Sequence, residues 1–493
     1  MEELKEKAFL GILWGGGNYV FSQIIALIVK LILVRLLVPA EFGIAAMAWI
    51  VISSLSLFNA FGTRDAFVRD NKSDQKKAKN TLFYLDTTAI LLIAIFGFLS
   101  APYVATFFGK TIQNHQVIAS LAWMIRALAL MYIGELLVIV PGTVLTKQLR
   151  FKERVIANIF GTISYGIVAP VFAFLGFGAW AIVIAQITNR LINNIVLFSY
   201  SPFIPSLLFN VGIAKKYLIF GVNKFLNSII GIVVTNGDDT IIGRLIGAAA
   251  LGFYGLAQHF AGLAVSAISS VINGVMFPVL SKIQEDKEEY SKAFFKAFRL
   301  TNLWTIPAIG GVVVLARDIV SLIFGANWLP IIPIFYVLSI AALLNNFVGL
   351  AGPVLNSLNK PQILRNNKII QFVFYVVLIY PFAKMWGTLG VCYVMVIFSV
   401  VSVIYLTPIL AREIHGFYFY SSKILGKILP CTFFMMAVVY YAKKSIPINL
   451  LSLFGLVILG IVVYFIPMWY LDNDLKWDFK EGFGVLRRKL FRK

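Results

Sequence analysis

The sequence predicts an all-α polytopic membrane protein with 14 transmembrane helices. Three observations carry the prediction: fourteen apolar stretches fill most of the 493 residues, hydrophobic residues make up 60% of the chain against 13% charged, and no connection is long enough for a globular domain. A helix needs about 20 apolar residues to cross roughly 30 Å of bilayer hydrocarbon. Backbone polar groups there are satisfied only within helices or closed barrels, and stretches this long are helices.

The predicted spans follow one another with short connections. In chain order they are 9–37, 42–62, 81–105, 116–145, 155–174, 178–199, 217–236, 250–280, 300–324, 331–357, 367–384, 388–411, 425–442 and 449–470. The first is longer than the apolar core of a cleaved signal peptide, about 7 to 15 residues, so we expect it to be retained. Cys392 and Cys431 both fall inside spans, and they indicate no disulfide or thiolate metal site.

The lysines and arginines predict the orientation. Alternate connections carry 32 of them on the side that includes both termini and 5 on the other, and 6 more lie within spans. Because cytoplasmic loops carry the excess of positive charge, both termini are predicted to be cytoplasmic in the cell membrane. The basic residues are spread over many segments without a recognition motif, so the net charge of +21 indicates orientation and anionic membrane lipids rather than nucleic acid.

Several function classes are excluded. The longest polar stretches hold roughly twenty residues, too few for the separate domain of about 50 residues or more that a glycosyltransferase or polymerase would need. The three histidines lack the spacing of a metal site, and no phosphate-binding loop for ATP is present. We therefore expect no metal, no cofactor and no catalytic residue.

An internal repeat predicts the domain organisation. The nine residues from Arg35 to Gly43 (RLLVPAEFG) are echoed from Arg244 to Gly252 (RLIGAAALG) at an offset of 209, and weaker echoes follow in the same order. The offset corresponds to six helices, which predicts two parallel six-helix lobes. They occupy 1–210 and 211–415, followed by helices 13 and 14 at 416–470 and a basic cytoplasmic tail at 471–493. Parallel repeats are typical of transporters that bind substrate between the halves.

Several segments then carry a family resemblance. They are GTRDAFVR at 62–69, Asp238-Asp239 before Arg244, LGFYGLA at 251–257 and FPVLSKIQED at 277–286. To about residue 411 the chain resembles the polysaccharide transporter family, the lipid-linked oligosaccharide or O-antigen flippase type of the multidrug/oligosaccharidyl-lipid/polysaccharide exporter superfamily. The resemblance implies a V-shaped pair of bundles around a central cavity. It also implies alternating-access movement of an isoprenoid-pyrophosphate-linked glycan from the cytoplasmic to the outer leaflet.

Charged residues inside spans are the candidate substrate site, because such charges are costly in a bilayer. Six cations stand against three acids there, which fits an anionic substrate: Lys30, Arg35, Arg126, Arg190, Lys224 and Arg317 against Asp86, Glu135 and Asp318. Tyr19, Gln23 and Lys30 form a polar stripe on helix 1 that we expect to face the central cavity. The predicted substrate-binding set is this stripe with Arg126, Arg190, Lys224, Asn223 and Asn227. The alternative is that the cations extend to the membrane interface.

Two further roles are predicted. Glu135 lies nine residues after Arg126, on the opposite face of an unbroken helix, and is either an ion-coupling site or the partner of a basic residue on another helix. Asp238 and Asp239 follow Asn236-Gly237, which we interpret as a helix stop. With Arg35 and Arg244 they form a candidate gate in a solvated loop.

The predicted function is a flippase for a lipid-linked oligosaccharide used in cell-surface polysaccharide or lipopolysaccharide synthesis. Movement could be coupled to H+ or Na+, and a polysaccharide polymerase or glycosyltransferases are candidate partners. The main alternative is a multidrug and toxin extrusion antiporter, which predicts acidic residues in the cavity. A membrane glycan-processing enzyme is a weaker alternative, because the chain lacks a catalytic loop.

Overall fold

A computed structural model describes residues 2–59, 62–112 and 114–472, except for the side chains at 2–10, 12–13, 57–59, 222–235, 264, 266–271 and 273–274. Every regular element in these ranges is helical. Eleven helices there are long and apolar enough to cross a bilayer, the first being Trp14–Leu36 and the last Leu450–Leu471. The prediction of an all-helical, multi-pass membrane protein is confirmed.

The chain divides into two compact units, Met1–Gly255 and Leu256–Lys493. The first unit holds α1 (Glu2–Leu36), α2 (Pro39–Asn59), α3 (Thr63–Arg69), α4 (Gln75–Phe108), α5 (His115–Met131), α6 (Ile139–Lys147), α7 (Phe151–Phe174), α8 (Ala179–Tyr200) and α9 (Val211–Leu245). The helix α10 (Ala248–Lys282) begins in the first unit and continues into the second, followed there by α11 (Lys287–Ile319), α12 (Ile331–Ser357), α13 (Pro361–Glu413), α14 (Phe417–Ser445) and α15 (Leu450–Leu471). The predicted lobe boundary at 210 differs from the boundary between these two units, which follows Gly255, and it stays a prediction.

Each unit has its own apolar core. In the first, Val29 and Leu33 of α1 pack against Ala169 and Ala173 of α7, where small side chains allow the helices to approach closely. In the second, Phe294 and Phe298 of α11 pack with residues of α12, α13 and the start of α14. A neighbouring cluster joins α11, α14 and α15 around Met435 and Tyr464.

Two helix boundaries differ from the sequence prediction. The predicted unbroken span 116–145 is interrupted, because α5 is followed by a 3-10 segment, Tyr132–Leu137, and then by α6. The predicted stop at Asn236-Gly237 is wrong, because α9 continues to Leu245. Packing against α2 holds this part of α9, where the Asn236 side-chain amide donates to the Ser53 hydroxyl at 2.8 Å. By contrast, the predicted break between spans 367–384 and 388–411 coincides with Gly387 in α13, whose φ of 59° interrupts the helical backbone.

The two repeated motifs of the sequence pack against each other at the start of α2 and α10. A Cβ atom on Gly43 would collide with the carbonyl group of Ala248, and one on Gly252 would collide with that of Pro39. Pro39 and Ala248 occupy equivalent positions in the repeat, as do Gly43 and Gly252. The contacts are therefore reciprocal, as in a two-fold interface where residue i meets j and j meets i.

Candidate functional site

The short helix α3 places an arginine beside a buried carboxylate. Gly62 precedes α3 with a left-handed φ of 71°, which turns the chain from α2 into the helix. Asp86 of α4 is buried and accepts from the Thr63 hydroxyl at 2.5 Å and from Arg64 Nε at 2.7 Å. The bond from Thr63 holds the carboxylate in place, and the bond from Arg64 holds the guanidinium against it at the beginning of α3.

Arg64 lines a cavity of about 380 Å³ in the first unit, which we call the arginine cavity. Its walls come from α3, the 3-10 segment, α6, α7 and α8, and they carry Arg64, Asp65, Glu135, Arg154, Arg190, Asn193 and Asn194. Arg190 Nη1 lies 3.6 Å from Glu135 Oε1, and Arg154 Nη1 donates to the Thr146 hydroxyl at 2.9 Å. Three guanidinium groups from three helices therefore converge on one hollow.

Two carboxylates near this cavity, Asp86 and Glu135, are paired with two of its arginines, and Asp65 is a further carboxylate on its wall. Asp86 pairs with Arg64, and Glu135, with only 12% of its side chain exposed, pairs with Arg190, which is 51% exposed. Among the described residues, Arg154 bonds to a neutral hydroxyl and to no carboxylate. Guanidinium groups bind phosphate through two parallel N–H donors, so the arrangement can receive a phosphorylated group.

All three acids that the sequence places inside spans are neutralised by a cation. Beside the pairs of Asp86 and Glu135, Asp318 of α11 lies 3.1 Å from Lys443 Nζ of α14 in the second unit. Since unpaired charge inside a membrane is costly, each pair reduces the cost of placing its acid there. For Glu135, the structure shows the paired arrangement that was one of its two predicted roles.

The predicted polar stripe lies on α1, which packs on α7 through a hydrogen bond from the Ser22 hydroxyl to Asn158 Oδ1 at 3.3 Å. Tyr19 is exposed, whereas Gln23 and Lys30 are half-buried. Lys30 forms no hydrogen bond or ion pair with the described residues. The expectation that the stripe faces a central cavity stays a prediction.

Arg126 of α5 lies apart from the arginine cavity. Its guanidinium carbon is 5.1 Å from the ring centre of Phe98 and 4.7 Å from that of Trp123, which is a cation–π arrangement. Its Nε atom is buried and has no hydrogen-bond partner among the described residues. The structure therefore separates Arg126 from Arg190, although the sequence grouped them in one set.

The remaining predicted residues are dispersed. The side chains of Asn223, Lys224 and Asn227 lie outside the described residues. Of the candidate gate, Arg35 is exposed, and Arg244 donates to the Phe107 carbonyl and lies 4.3 Å from the Phe107 ring centre.

The acids of the candidate gate lie inside a helix. The expectation of a solvated loop is wrong for Asp238, which is 2% exposed and accepts from the Tyr254 hydroxyl at 2.5 Å, because α9 continues through it. Asp239 is half-buried.

Asp70 connects the α3–α4 turn to α9 and lies outside the spans. Its carboxylate is 1% exposed, with Lys216 Nζ at 2.9 Å, the Tyr217 hydroxyl at 3.1 Å and the Ser73 hydroxyl at 2.6 Å. Burial raises the pKa of Asp70, but the hydrogen bonds from Ser73, Lys216 and the Lys72 backbone outweigh burial, so the net pKa lies well below its usual range. Lys147 Nζ of α6 donates to the Asp70 carbonyl at 2.6 Å.

Sequence reasoning missed Arg64, Asp65 and Arg154, because they lie in connections between predicted spans. One signal was available for two of them, since Arg64 and Asp65 belong to the GTRDAFVR segment that carried the family resemblance. Nothing in the local sequence singles out Arg154 from the neighbouring basic residues.

Comparison with known families gives one match over most of the chain. A family model described as polysaccharide biosynthesis protein matches residues 32–333. That range includes every residue named for the arginine cavity.

Individual relatives have names from polysaccharide synthesis. The lipopolysaccharide biosynthesis protein WzxC of Escherichia coli is 25% identical over 396 residues, which cover 79% of this chain and 77% of WzxC. The teichuronic acid biosynthesis protein TuaB of Bacillus subtilis is 26% identical over 290 residues, 58% of each chain. The succinoglycan biosynthesis transport protein ExoT of Rhizobium meliloti is 23% identical over 310 residues, covering 63% of this chain and 61% of ExoT.

Solved structures of transporters have a similar fold. The inward closed conformation of the lipid II flippase MurJ has a TM-score of 0.75 at 17% identity, covering 94% of this chain and 99% of MurJ. An inward-facing multidrug resistance MATE family transporter of the MOP superfamily has a TM-score of 0.62 at 15% identity, covering 82% and 95%. At these identities the likeness establishes the fold alone.

Proposed function

The chain belongs to the polysaccharide biosynthesis protein family, and we propose that it moves an isoprenoid-pyrophosphate-linked oligosaccharide from the cytoplasmic to the outer leaflet of the cell membrane by alternating access. The names of WzxC and ExoT support a role in polysaccharide synthesis and transport, and the fold shared with MurJ supports a flippase. The relatives by sequence have names from polysaccharide biosynthesis and transport, and the similar solved structures are a flippase and a multidrug transporter, which supports a transporter rather than an enzyme.

The proposed topology has 14 spans with both termini in the cytoplasm. Eleven candidate spans are found among the described residues when α13 counts as one, and the break at Gly387 would divide α13 into two spans. The helices α9 and α10, with undescribed side chains, would supply the other two. The reciprocal contacts of Gly43 and Gly252 support two parallel repeats, with the proposed lobes at 1–210 and 211–415.

The arginine cavity is the proposed receptor for the pyrophosphate. Arg64 and Arg154 lie in connections that the charge distribution predicts to be cytoplasmic, where the lipid-linked precursor would enter. A pyrophosphate has oxygens enough for several guanidinium groups, and these would replace part of the water lost on leaving the cytoplasm. The single observation that carries the proposal is this convergence of Arg64, Arg154 and Arg190 on one hollow of a transporter fold.

Other residues are proposed for later stages of the passage. Lys30 with Tyr19 and Gln23 would hold the headgroup as it moves along α1, and Lys224 with Asn223 and Asn227 would act from α9. Arg126 lies close to the rings of Phe98 and Trp123. It would supply a positive charge to the headgroup, and the aromatic rings beside it would offer surfaces on which a sugar can stack. The gate is proposed at Arg35, Arg244, Asp238 and Asp239.

The energy source is either an ion gradient or consumption of the glycan on the outer face. Glu135 is the proposed coupling residue for H+ or Na+ in the first case. Its pairing with Arg190 at 3.6 Å favours a structural role and hence the second case, in which a polymerase or glycosyltransferase removes the product.

The test is transport in liposomes with purified protein and a lipid-linked oligosaccharide, followed by access of a glycosidase to the glycan. Arg154→Gln and Arg190→Gln should each slow movement roughly 10- to 100-fold, since a hydrogen bond to a charged group contributes about 1.5–3 kcal/mol. Arg150→Gln is the matched control, because Arg150 bonds to Glu153 at 2.8 Å on the same connection and does not line the cavity. Equal rates for the three variants would refute the site.

The same liposomes separate the proposal from its main competitor. A multidrug antiporter would move a cationic dye against a proton or sodium gradient and leave the lipid-linked glycan on its original side. The proposal predicts the opposite pattern, with glycan movement and no dye accumulation.

A further inference from the structure

The connection between α8 and α9 exposes large apolar side chains. This connection, which we call the α8–α9 loop, comprises residues 201–210 and has no regular secondary structure. Ile204 is 86% exposed and Leu207 is 94% exposed, and Phe209 and Val211 beside them are exposed as well. Apolar side chains gain free energy when they leave water, and several of them close together indicate a surface that contacts another apolar body.

The loop is held against the first turns of α4. The buried side-chain oxygen of Asn80 accepts from the Ser206 N–H at 2.6 Å, and the Thr81 hydroxyl accepts from the Asn210 N–H at 3.1 Å. The Tyr84 hydroxyl donates to the Ser206 carbonyl at 3.3 Å. The protein thus satisfies these backbone groups, which is what an irregular segment needs where it meets an apolar medium.

These bonds place the loop where the apolar part of α4 begins. Residues 75–80 of α4 read QKKAKN, and the apolar stretch starts at residue 81. An α-helix rises 1.5 Å per residue, so the bonds at Asn80, Thr81 and Tyr84 lie within about 6 Å of one another along the helix axis. The candidate span of α8 ends at Tyr200, immediately before the loop. The loop is therefore at the level of the membrane interface, on the side that the charge distribution predicts to be cytoplasmic.

Lysines accompany the apolar side chains. Lys76 and Lys77 are exposed in the first turn of α4, and Lys215 is exposed in the second turn of α9. Segments that lie in a membrane interface combine apolar side chains, which enter the acyl boundary, with basic side chains that meet the lipid headgroups. The surroundings of the loop have both kinds of side chain.

We propose that the α8–α9 loop is a membrane-binding surface that inserts Ile204 and Leu207 among the lipids of the cytoplasmic leaflet. Lipid is favoured over a protein partner because α4, which holds the loop, and α8, which precedes it, both meet the bilayer at this level. The loop joins the proposed lobes at 1–210 and 211–415, so its insertion would fix their connection at the membrane surface. The loop does not line the arginine cavity, and the inference goes beyond the proposed function.

The experiment measures the surroundings of a fluorescent label on the full chain in liposomes of phosphatidylcholine and phosphatidylglycerol. Ile204→Cys and Leu207→Cys are each labelled with nitrobenzoxadiazole. Cys392 and Cys431 are buried, and wild type treated with the same reagent gives the background. Lys72→Cys is the matched control, because Lys72 is exposed in the turn before α4, on the polar side of the same boundary. All four proteins are first shown to be folded by their unfolding transitions.

Two quenchers then distinguish lipid from water. Phosphatidylcholine with a doxyl group near the start of the acyl chain should quench the labels at 204 and 207 more strongly than the label at 72. Iodide on both sides of the membrane should quench in the opposite order. Emission at 204 and 207 should also be shifted to shorter wavelength than at 72.

Three results would overturn the proposal. Equal responses of the three labels to either quencher would show that the loop is no closer to lipid than the control. Quenching at 204 and 207 by iodide alone would leave the loop to a soluble protein partner. Protection of both positions from both quenchers would mean that another segment of the chain covers them. The readout needs no transport, so a failed flipping assay would leave this inference intact.

Discussion

The contact between the repeated motifs gives a sharp prediction for Gly252→Ala. The new Cβ would collide with the Pro39 carbonyl oxygen, and it would lie 2.9 Å from the Pro39 carbonyl carbon and 3.3 Å from the Gly43 nitrogen. All three are backbone atoms at the start of α2, so no side-chain rotation can relieve the overlap. The helices would have to separate at the point where the two motifs meet.

The magnitude follows from two opposing terms. Within a helix, alanine is favoured over glycine by about 1 kcal/mol, and overpacking a filled site costs about 1–3 kcal/mol or more. Gly255→Ala supplies the matched control on the same helix, because a Cβ on Gly255 would meet no described atom within 4 Å. Gly255→Ala should therefore stabilise, and the difference between the two variants should equal the overlap cost, about 1–3 kcal/mol.

The assay is thermal unfolding of the purified full chain in detergent, with wild type and both variants measured together. Gly252→Ala should unfold at a lower temperature than wild type and Gly255→Ala at a slightly higher one. Gly43→Ala should resemble Gly252→Ala, because its Cβ would collide with the equivalent carbonyl of Ala248. If Gly252→Ala unfolds at or above the temperature of Gly255→Ala, the reciprocal contact is refuted.

Three further predictions concern the charged groups. Asp86→Asn should lower the free energy of unfolding by about 1–3 kcal/mol, because Arg64 loses a charged acceptor; chemical denaturation measures it, and an unchanged midpoint would contradict the pairing. The folded-state pKa of Asp70 is lowered, so its stabilisation is complete above the unfolded value of about 3.9 and is lost as pH falls through the folded pKa. Unfolding temperature should accordingly fall less steeply with acidification for Asp70→Asn than for wild type, and parallel curves would argue against it. Glu135→Gln should leave the response of transport to an imposed proton gradient unchanged, and loss of that response would assign ion coupling to Glu135.

Much of the fold could be predicted from the sequence because the bilayer imposes a length and polarity on every span. The predicted break before residue 388 falls at Gly387, where a connection is too short to be polar and glycine supplies the positive φ. The break within 116–145 could not be predicted in this way. Hydropathy indicates whether a segment favours lipid or water. The hydropathy of Tyr132–Leu137 is the same whether the segment forms a 3-10 turn or an α-helix, so it does not reveal the break.

The site was harder to predict than the fold because its charges pair across the sequence. Asp86 and Arg64 are 22 residues apart, and Glu135 and Arg190 are further apart still, so no local sequence pattern predicts either ion pair. Asn236 shows the same limit for helix boundaries. The Asn-Gly sequence favours a helix end, but α9 continues through it, and the Asn236 side chain donates a hydrogen bond to Ser53 on α2. Tertiary contacts decided each of these positions.

The most direct measurement of the central claim is the sidedness of a lipid-linked oligosaccharide in liposomes that contain the wild-type chain. The glycan starts on one leaflet, and a lectin added to the other side reports its arrival. The proposed function predicts arrival well above that in protein-free liposomes, without ATP. Arrival no faster than in protein-free liposomes, with protein shown to be folded by its unfolding transition, would contradict it.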